Sequence, residues 1–130
     1  MASPPKVTAL LICEGTVRDT ASDRTTVVAV YDFVAFDSFP AVHGPFSIYF
    51  KVTSLNGEYD FRLEVVSPDG ALVLGGGNLP PPIACRDPLA SIDVGVRISR
   101  IRLATPGQYS IRLLYNGVIA ETATLNVTHP

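Results

Sequence analysis

The sequence is poor in the residues that bind metals: it has no tryptophan, two histidines and two cysteines among 130 residues. Zinc and calcium sites need clustered His, Cys or carboxylate ligands at fixed spacings. Cys13 and Cys85 form no C-x-x-C motif, and His129 is the penultimate residue. We therefore expect no metal and no cofactor. We expect the two cysteines to be reduced, apolar residues, although the sequence leaves a disulfide between them open.

An excess of charge of one sign is also lacking. Ten Lys and Arg against twelve Asp and Glu give a net charge of −2 at pH 7. A chain so close to neutral has no general attraction for nucleic acid or for an anionic membrane. No apolar run approaches the length of a transmembrane helix, and residues 1–5 lack the basic start of a signal peptide. These absences predict a cytoplasmic protein with neither a membrane nor a nucleic-acid partner.

The strongest structural pattern that is present lies in residues 105–127. Pro106-Gly107 marks a turn, and apolar and polar residues then alternate as far as Tyr115. Asn116-Gly117 is typical of a two-residue β-hairpin, because both residues tolerate positive φ. Further strands are expected over residues 6–13, 24–34, 46–53, 59–65, 71–74 and 89–103. The pattern predicts an all-β, antiparallel β-sandwich of seven to nine strands over residues 6–130, after a disordered tail at residues 1–5.

Three local features refine this prediction. Asn56-Gly57 predicts a hairpin between segments 46–53 and 59–65. Residues 14–23 are expected to be a loop or the wide turn of a hairpin, and residues 37–45 a loop. The apolar phase shifts by one residue near Ser99-Arg100, which indicates a β-bulge, with a helix as the alternative. The motif G-[EQ]-Y-x-[FI]-R-L occurs twice, at Gly57 and at Gly107. A tyrosine in this position can bury its ring and hydrogen-bond nearby backbone through its hydroxyl, as in a tyrosine corner.

Motifs for catalysis are absent. A Ser-His-Asp triad would have to use His43, which lies between Pro40 and Pro45, and no G-x-S-x-G motif accompanies it. Gly75-Gly76-Gly77 is not a phosphate-binding loop, because no Lys-Ser/Thr pair follows. We therefore expect that the protein is not an enzyme.

Two carboxylates stand out as candidate ligand contacts. Asp32 lies between Tyr31 and Phe33 in an otherwise apolar segment, and Glu14 follows Cys13 in the same way. Asp32 is either a ligand-binding carboxylate or a strand-end residue that accepts backbone hydrogen bonds, and we favour the second interpretation. If the first two strands pair, Glu14 and Asp32 come close.

A second candidate surface is basic. Arg97, Arg100 and Arg102, with Arg112 on a later strand, would suit a phosphate or an acidic partner. The favoured alternative is a solvated face whose arginines pair with Asp60, Glu64 or Asp93. Aromatic residues do not interleave with these arginines, which argues against nucleic-acid binding.

The order of these motifs resembles a known family. It runs from Leu-Leu-Ile-Cys-Glu through Val-Tyr-Asp-Phe, Ser-Phe-Pro, F-x-I-Y-F, Asn-Gly-Glu-Tyr and Ser-Pro-Asp-Gly to Pro-Gly-Gln-Tyr. This looks like a family of short, uncharacterised bacterial proteins known only as a domain of unknown function. The resemblance covers residues 6–127 apart from segment 75–88. It implies a bacterial or bacteriophage source and an immunoglobulin-like sandwich, and it supplies no activity.

We expect a non-catalytic binding or assembly module with a protein partner, or a homo-oligomer. Its working surfaces would be a sheet edge and the loops at residues 37–45 and 75–88. The alternative is a small-molecule or carbohydrate binder, or a weak enzyme, built on Glu14, Tyr31 and Asp32.

Overall fold

The structure is a computed structural model that describes residues 2–75 and 81–130. These residues contain β-strands and no helix, which confirms the all-β prediction. The strands are β1 (Lys6–Asp19), β2 (Arg24–Val30), β3 (Phe33–Ala35), β4 (Ala41–His43), β5 (Phe46–Thr53), β6 (Gly57–Tyr59), β7 (Phe61–Val66), β8 (Leu72–Leu74), β9 (Ile83–Cys85), β10 (Ser91–Ile98), β11 (Ile101–Leu103), β12 (Gly107–Tyr115) and β13 (Val118–Thr128). Within the described ranges, no helix is long and apolar enough to span a membrane.

Two larger sheets hold most of these strands. The four-stranded sheet has the order β10-β5-β1-β2 and is antiparallel throughout. The five-stranded sheet has the order β3-β13-β12-β7-β8 and is mixed, because β3 runs parallel to β13. Two short antiparallel pairs, β4 with β11 and β6 with β9, join distant segments. Ile48 and Phe50 of the first sheet and Leu63 and Ile111 of the second belong to one buried core cluster.

The C-terminal hairpin is confirmed. β12 pairs with β13 from Gly107–Val127 to Tyr115–Val118, so Asn116 and Gly117 alone make the turn. Their φ angles are 49° and 82°, the positive values that the sequence predicts. Both repeated tyrosines are fully buried, as expected. The Tyr109 hydroxyl donates to the Thr105 carbonyl at 2.7 Å. The Tyr59 hydroxyl donates to the Ser3 carbonyl at 2.5 Å and accepts from the Asn56 amide at 2.9 Å.

The hairpin predicted at Asn56-Gly57 is wrong. β5 is flanked by β1 and β10, whereas β7 pairs with β12 and β8, so residues 54–60 cross from one sheet to the other. Glycine is needed at position 57 because Ala2 packs closely against it, and not because a hairpin turns there. A Cβ built at Gly57 would lie 2.7 Å from the Ala2 Cα. The disorder expected for residues 1–5 stays a prediction.

The bulge predicted at Ser99-Arg100 is also wrong. β10 pairs with β5, whereas β11 pairs with β4, and residues 99–100 connect the two. The apolar phase changes because the chain changes its partner strand. The predicted loop at residues 37–45 contains β4, and segment 75–88 contains β9. Residues 76–80 of that segment lie outside the described residues.

The largest correction concerns the first two strands. β1 pairs with β5 only as far as Cys13–Ser47 but continues to Asp19, so the expected loop or wide turn at residues 14–23 is a hairpin whose turn is confined to residues 20–23. β2 ends at Val30, and β3 joins the other sheet, so residues 24–34 are not one strand. We call residues 14–30 the β1–β2 hairpin. Its Thr16 contacts Gly95 of β10, and Ser47 and Tyr49 of β5 are buried. This hairpin therefore lies over the face of the sheet that points away from the core.

Candidate functional site

A cleft of about 500 Å³ opens where the chain leaves β2 and enters β3. We call it the Tyr31 cleft. It is lined by Glu14, Ala29, Val30, Tyr31, Phe33, Val34, His43 and Pro45. The lining residues come from the β1–β2 hairpin, from β3 and from the end of β4, so the cleft exists only because the chain crosses between sheets at this point.

Tyr31 and His43 are joined by a hydrogen bond in the wall of this cleft. The Tyr31 hydroxyl oxygen lies 2.6 Å from Nε2 of His43, and the imidazole tautomer decides which atom donates. The two rings also make an edge contact at 5.7 Å. The backbone amide of Tyr31 donates to the Ile12 carbonyl at 2.9 Å, which fixes the tyrosine to β1. His43 pairs with Ile101 in the β4–β11 ladder, and its ring stacks on Phe46 at 4.9 Å.

Burial keeps both groups uncharged near neutral pH. It lowers the pKa of His43 below its ordinary value, because the imidazolium form loses its hydration. Burial also raises the pKa of Tyr31 to about 12, and repulsion of the phenolate by Glu14 and by an ionised Cys13 thiolate contributes to that shift. Among the described residues that line the cleft, Glu14 is the only acidic side chain, and none is a lysine or an arginine.

Asp32 faces a neighbouring cleft of about 430 Å³. The two clefts share Val30 and Tyr31 as a wall, so Glu14 and Asp32 lie on either side of Tyr31. The Asp32 side chain is exposed. Its backbone carbonyl accepts hydrogen bonds from the Asn126 amide at 2.7 Å and from the Asn126 Nδ2 at 3.3 Å. The main chain of Asp32 thus connects β2 to β13, and the candidate cleft is built on Glu14, Tyr31 and His43 without it.

The predicted arginine stripe lies elsewhere. Arg97, Arg100 and Arg102 are exposed, and none of them lines the Tyr31 cleft. Among the described residues, no carboxylate forms an ion pair with these three side chains. Arg102 lines a separate small cleft together with Asp69. The stripe therefore remains a candidate surface for an acidic partner, distinct from the cleft.

A cluster that the sequence did not reveal holds the β1–β2 hairpin to the sheet. Arg18 contacts Asp93 at 2.7 Å and Asp23 at 2.6 Å, and the Tyr49 hydroxyl donates to Asp93 at 2.9 Å. Burial alone would raise the pKa of Asp93, but hydrogen bonds from Thr25, Arg18 and Tyr49 outweigh burial and lower it. The pKa of Tyr49 is raised to about 12, mainly by burial and secondly by its hydrogen bond to Asp93. The sequence did not predict a role for Arg18, because residues 14–23 were expected to be a loop or the turn of a hairpin.

The described residues contain no group of three or more His, Cys, Asp or Glu side chains that could hold a metal ion. Comparison with known proteins gives one finding about identity. The model of a family of unknown function (DUF6941) matches residues 8–128. No curated protein matches the chain. The family match confirms the resemblance to a domain of unknown function.

Proposed function

Since the chain belongs to this family of unknown function, we propose from its site that the protein is a non-catalytic binding module whose ligand occupies the Tyr31 cleft. The Tyr31–His43 hydrogen bond at 2.6 Å carries this proposal. It fixes a polar side chain from the β2–β3 connection to one from β4, in a wall that also contains Val30, Val34 and Pro45. Ligand sites typically combine apolar walls with a few fixed polar groups of this kind.

The raised pKa of Tyr31 argues against catalysis. A hydroxyl that is hydrogen-bonded to an imidazole can act as a nucleophile with its general base, but only if the hydroxyl loses its proton readily. Burial raises the pKa of Tyr31 to about 12 and so opposes transfer of its proton to His43. The lining residues include no serine, threonine or cysteine that could act as a nucleophile. Binding without chemistry is therefore the function that the cleft supports best.

The proposal extends to fold and setting. The two larger sheets contribute to one core, and Tyr109 bonds the backbone four residues upstream, as in a tyrosine corner. These features support an immunoglobulin-like sandwich formed by the nine strands of those sheets. A bacterial source and a cytoplasmic location remain our expectations from the sequence.

A fragment screen by two-dimensional NMR tests the binding proposal. A panel of cationic, anionic and neutral aromatic fragments should shift the amide signals of Val30, Phe33 and His43. Tyr31→Phe removes the hydroxyl but keeps the ring, and it should weaken the binding of any fragment that shifts those signals. Tyr115→Phe, on β12, is the matched control. Fragments that shift no cleft residue, or that bind Tyr31→Phe and the parent chain equally, would contradict the proposal.

A second candidate function is assembly through the edge strand β2. This strand has a neighbour on one side only, and Val28 and Val30 are 42% and 56% exposed on it. Apolar edge strands are templates for pairing with another chain. We infer a homodimer or protein complex formed along β2. Light scattering over a concentration series should show a dimer that Val28→Lys dissociates and Val118→Lys, at the β12–β13 turn, does not. A monomer at all concentrations would exclude the homodimer.

A further inference from the structure

We propose that the Tyr31 cleft binds an organic cation, an ammonium group carried on an apolar body, with Glu14 as its counter-ion. This inference rests on the proposed binding function and adds the chemical class of the ligand. Three properties of the cleft support it: its charge, its apolar walls, and the hydrogen-bonding capacity that Tyr31 leaves unused.

The charge of the cleft has one sign. Glu14 contributes an acidic side chain to the lining, whereas burial raises the pKa of the Tyr31 phenol and lowers that of the His43 imidazole, which favours the uncharged form of both. No lysine or arginine is among the lining residues. An anionic ligand would therefore face Glu14 without any compensating cation, while a cationic ligand would form an ion pair with it.

The walls favour an apolar body beside the charge. Val30 and Phe33 are 56% and 55% exposed, and Val34 and Pro45 extend the same apolar lining. Covering such side chains stabilises a complex in proportion to the apolar area removed from water. Tyr31 and Phe33 are both among the lining residues, and aromatic side chains attract ammonium groups.

The hydrogen-bonding groups match a donor. When the His43 proton is on Nδ1, the Tyr31 hydroxyl donates to Nε2, and the phenol oxygen keeps its acceptor capacity. An ammonium group has three donors and no acceptor, so the Glu14 carboxylate and the Tyr31 oxygen are suitable partners. In this tautomer, neither Glu14 nor Tyr31 requires the ligand to be an acceptor.

The test uses three probes of similar shape: benzylamine, benzyl alcohol and benzoate. Titrations followed by two-dimensional NMR should show benzylamine shifting cleft amides and binding more tightly than benzyl alcohol. Glu14→Gln should weaken benzylamine binding about 2- to 5-fold, the size of an exposed ion pair. It should leave benzyl alcohol binding unchanged. Glu58→Gln, an exposed glutamate on β6, is the matched control and should change neither.

Benzylamine binding that Glu14→Gln leaves intact would overturn the cation proposal, as would cleft shifts by benzoate or benzyl alcohol without benzylamine. In the latter case the proposed binding function stands. If none of the three probes shifts the cleft, the cation proposal fails and the fragment panel alone decides the binding function.

The cation can come from a free amine or from a lysine side chain. Acetyl-Gly-Lys-Gly-amide and its norleucine counterpart distinguish these sources. Tighter cleft binding by the lysine peptide than by benzylamine, lost with norleucine, indicates recognition of a lysine side chain. The reverse order indicates a small amine, and either order supports the shared chemistry.

Discussion

Gly95→Ala should test whether the β1–β2 hairpin packs on β10 as the structure describes. A Cβ built at Gly95 would lie 2.3 Å from the Thr16 Oγ1 and 3.0 Å from the Thr16 Cβ and Cγ2. No real methyl group fits there unless the hairpin moves away from the sheet. Gly95 sits in β10 opposite Tyr49, beneath the hairpin that carries Glu14.

The clash should outweigh the usual benefit of alanine. Replacing glycine by alanine at a compatible position stabilises a protein by about 0.4–1 kcal/mol, through the unfolded chain. Overpacking a well-packed core costs about 1–3 kcal/mol, and we expect the lower part of that range because Gly95 is exposed and only Thr16 crowds it. Thr16 is β-branched and therefore stiff at χ1, so rotation of its side chain does not relieve the contact. We expect Gly95→Ala to lower the free energy of unfolding by about 1–2 kcal/mol.

Urea unfolding of a double-mutant cycle measures this coupling. In a Thr16→Ala background the crowding atoms Oγ1 and Cγ2 are gone, and Gly95→Ala should become neutral or slightly stabilising. Gly15→Ala is the control within the same hairpin, because a Cβ built there meets nothing within 4 Å. If Gly95→Ala costs no more than Gly15→Ala, or if the cost is the same with and without Thr16, the packing of the hairpin on β10 is refuted.

Three further predictions follow from single contacts. Tyr109→Phe removes the bond to the Thr105 carbonyl and should lower the free energy of unfolding by about 1 kcal/mol, whereas Tyr115→Phe should cost less. The pKa of His43 is lower folded than its usual 6.5, so its stabilising contribution is present above pH 6.5 and lost as the pH falls. In a His129→Asn chain, NMR should show the single imidazole titrating below 6.5, and a higher midpoint would contradict the burial argument. Asp93→Asn should destabilise by about 1.5–3 kcal/mol at pH 7. In the parent chain, the stabilisation from ionised Asp93 is present above pH 3.8 and is lost as the pH falls through the lower folded pKa of Asp93. Asp93→Asn should remove this pH dependence.

The sequence predicted best where the determinants are local. The β12–β13 hairpin needs only a turn dipeptide and alternation on both sides, all within about 20 residues, and it formed as expected. Asn56-Gly57 carries the same dipeptide, but Gly57 is required there by the approach of Ala2. An Asn-Gly dipeptide in the sequence indicates a position where the freedom of glycine is available. It does not indicate whether a hairpin turn or a close neighbour is the reason that glycine is needed there.

The candidate site shows the same limit. Asp32 and Glu14 stood out as carboxylates beside apolar segments, Tyr31 was named with them as part of an alternative site, and His43 was noted as one of two histidines. Their meeting depends on the β1–β2 pairing and on the short β4–β11 ladder, which joins residues far apart in sequence. Asp93 was expected to pair with an arginine, but its pairing with Arg18 was missed for the same reason, because a 75-residue separation carries no local signal.

The cleft joins two parts of the fold that are fixed independently, which makes it sensitive to distant changes. The Ile12 carbonyl fixes Tyr31 to β1, and the β4–β11 ladder fixes His43. Their 2.6 Å hydrogen bond survives only if both supports keep their positions. A shift of the β1–β2 hairpin would move Glu14 directly and would pull on Tyr31 through Val30. Gly95→Ala should therefore shift the ring signals of His43, although residue 95 does not line the cleft, and Gly15→Ala should leave them in place.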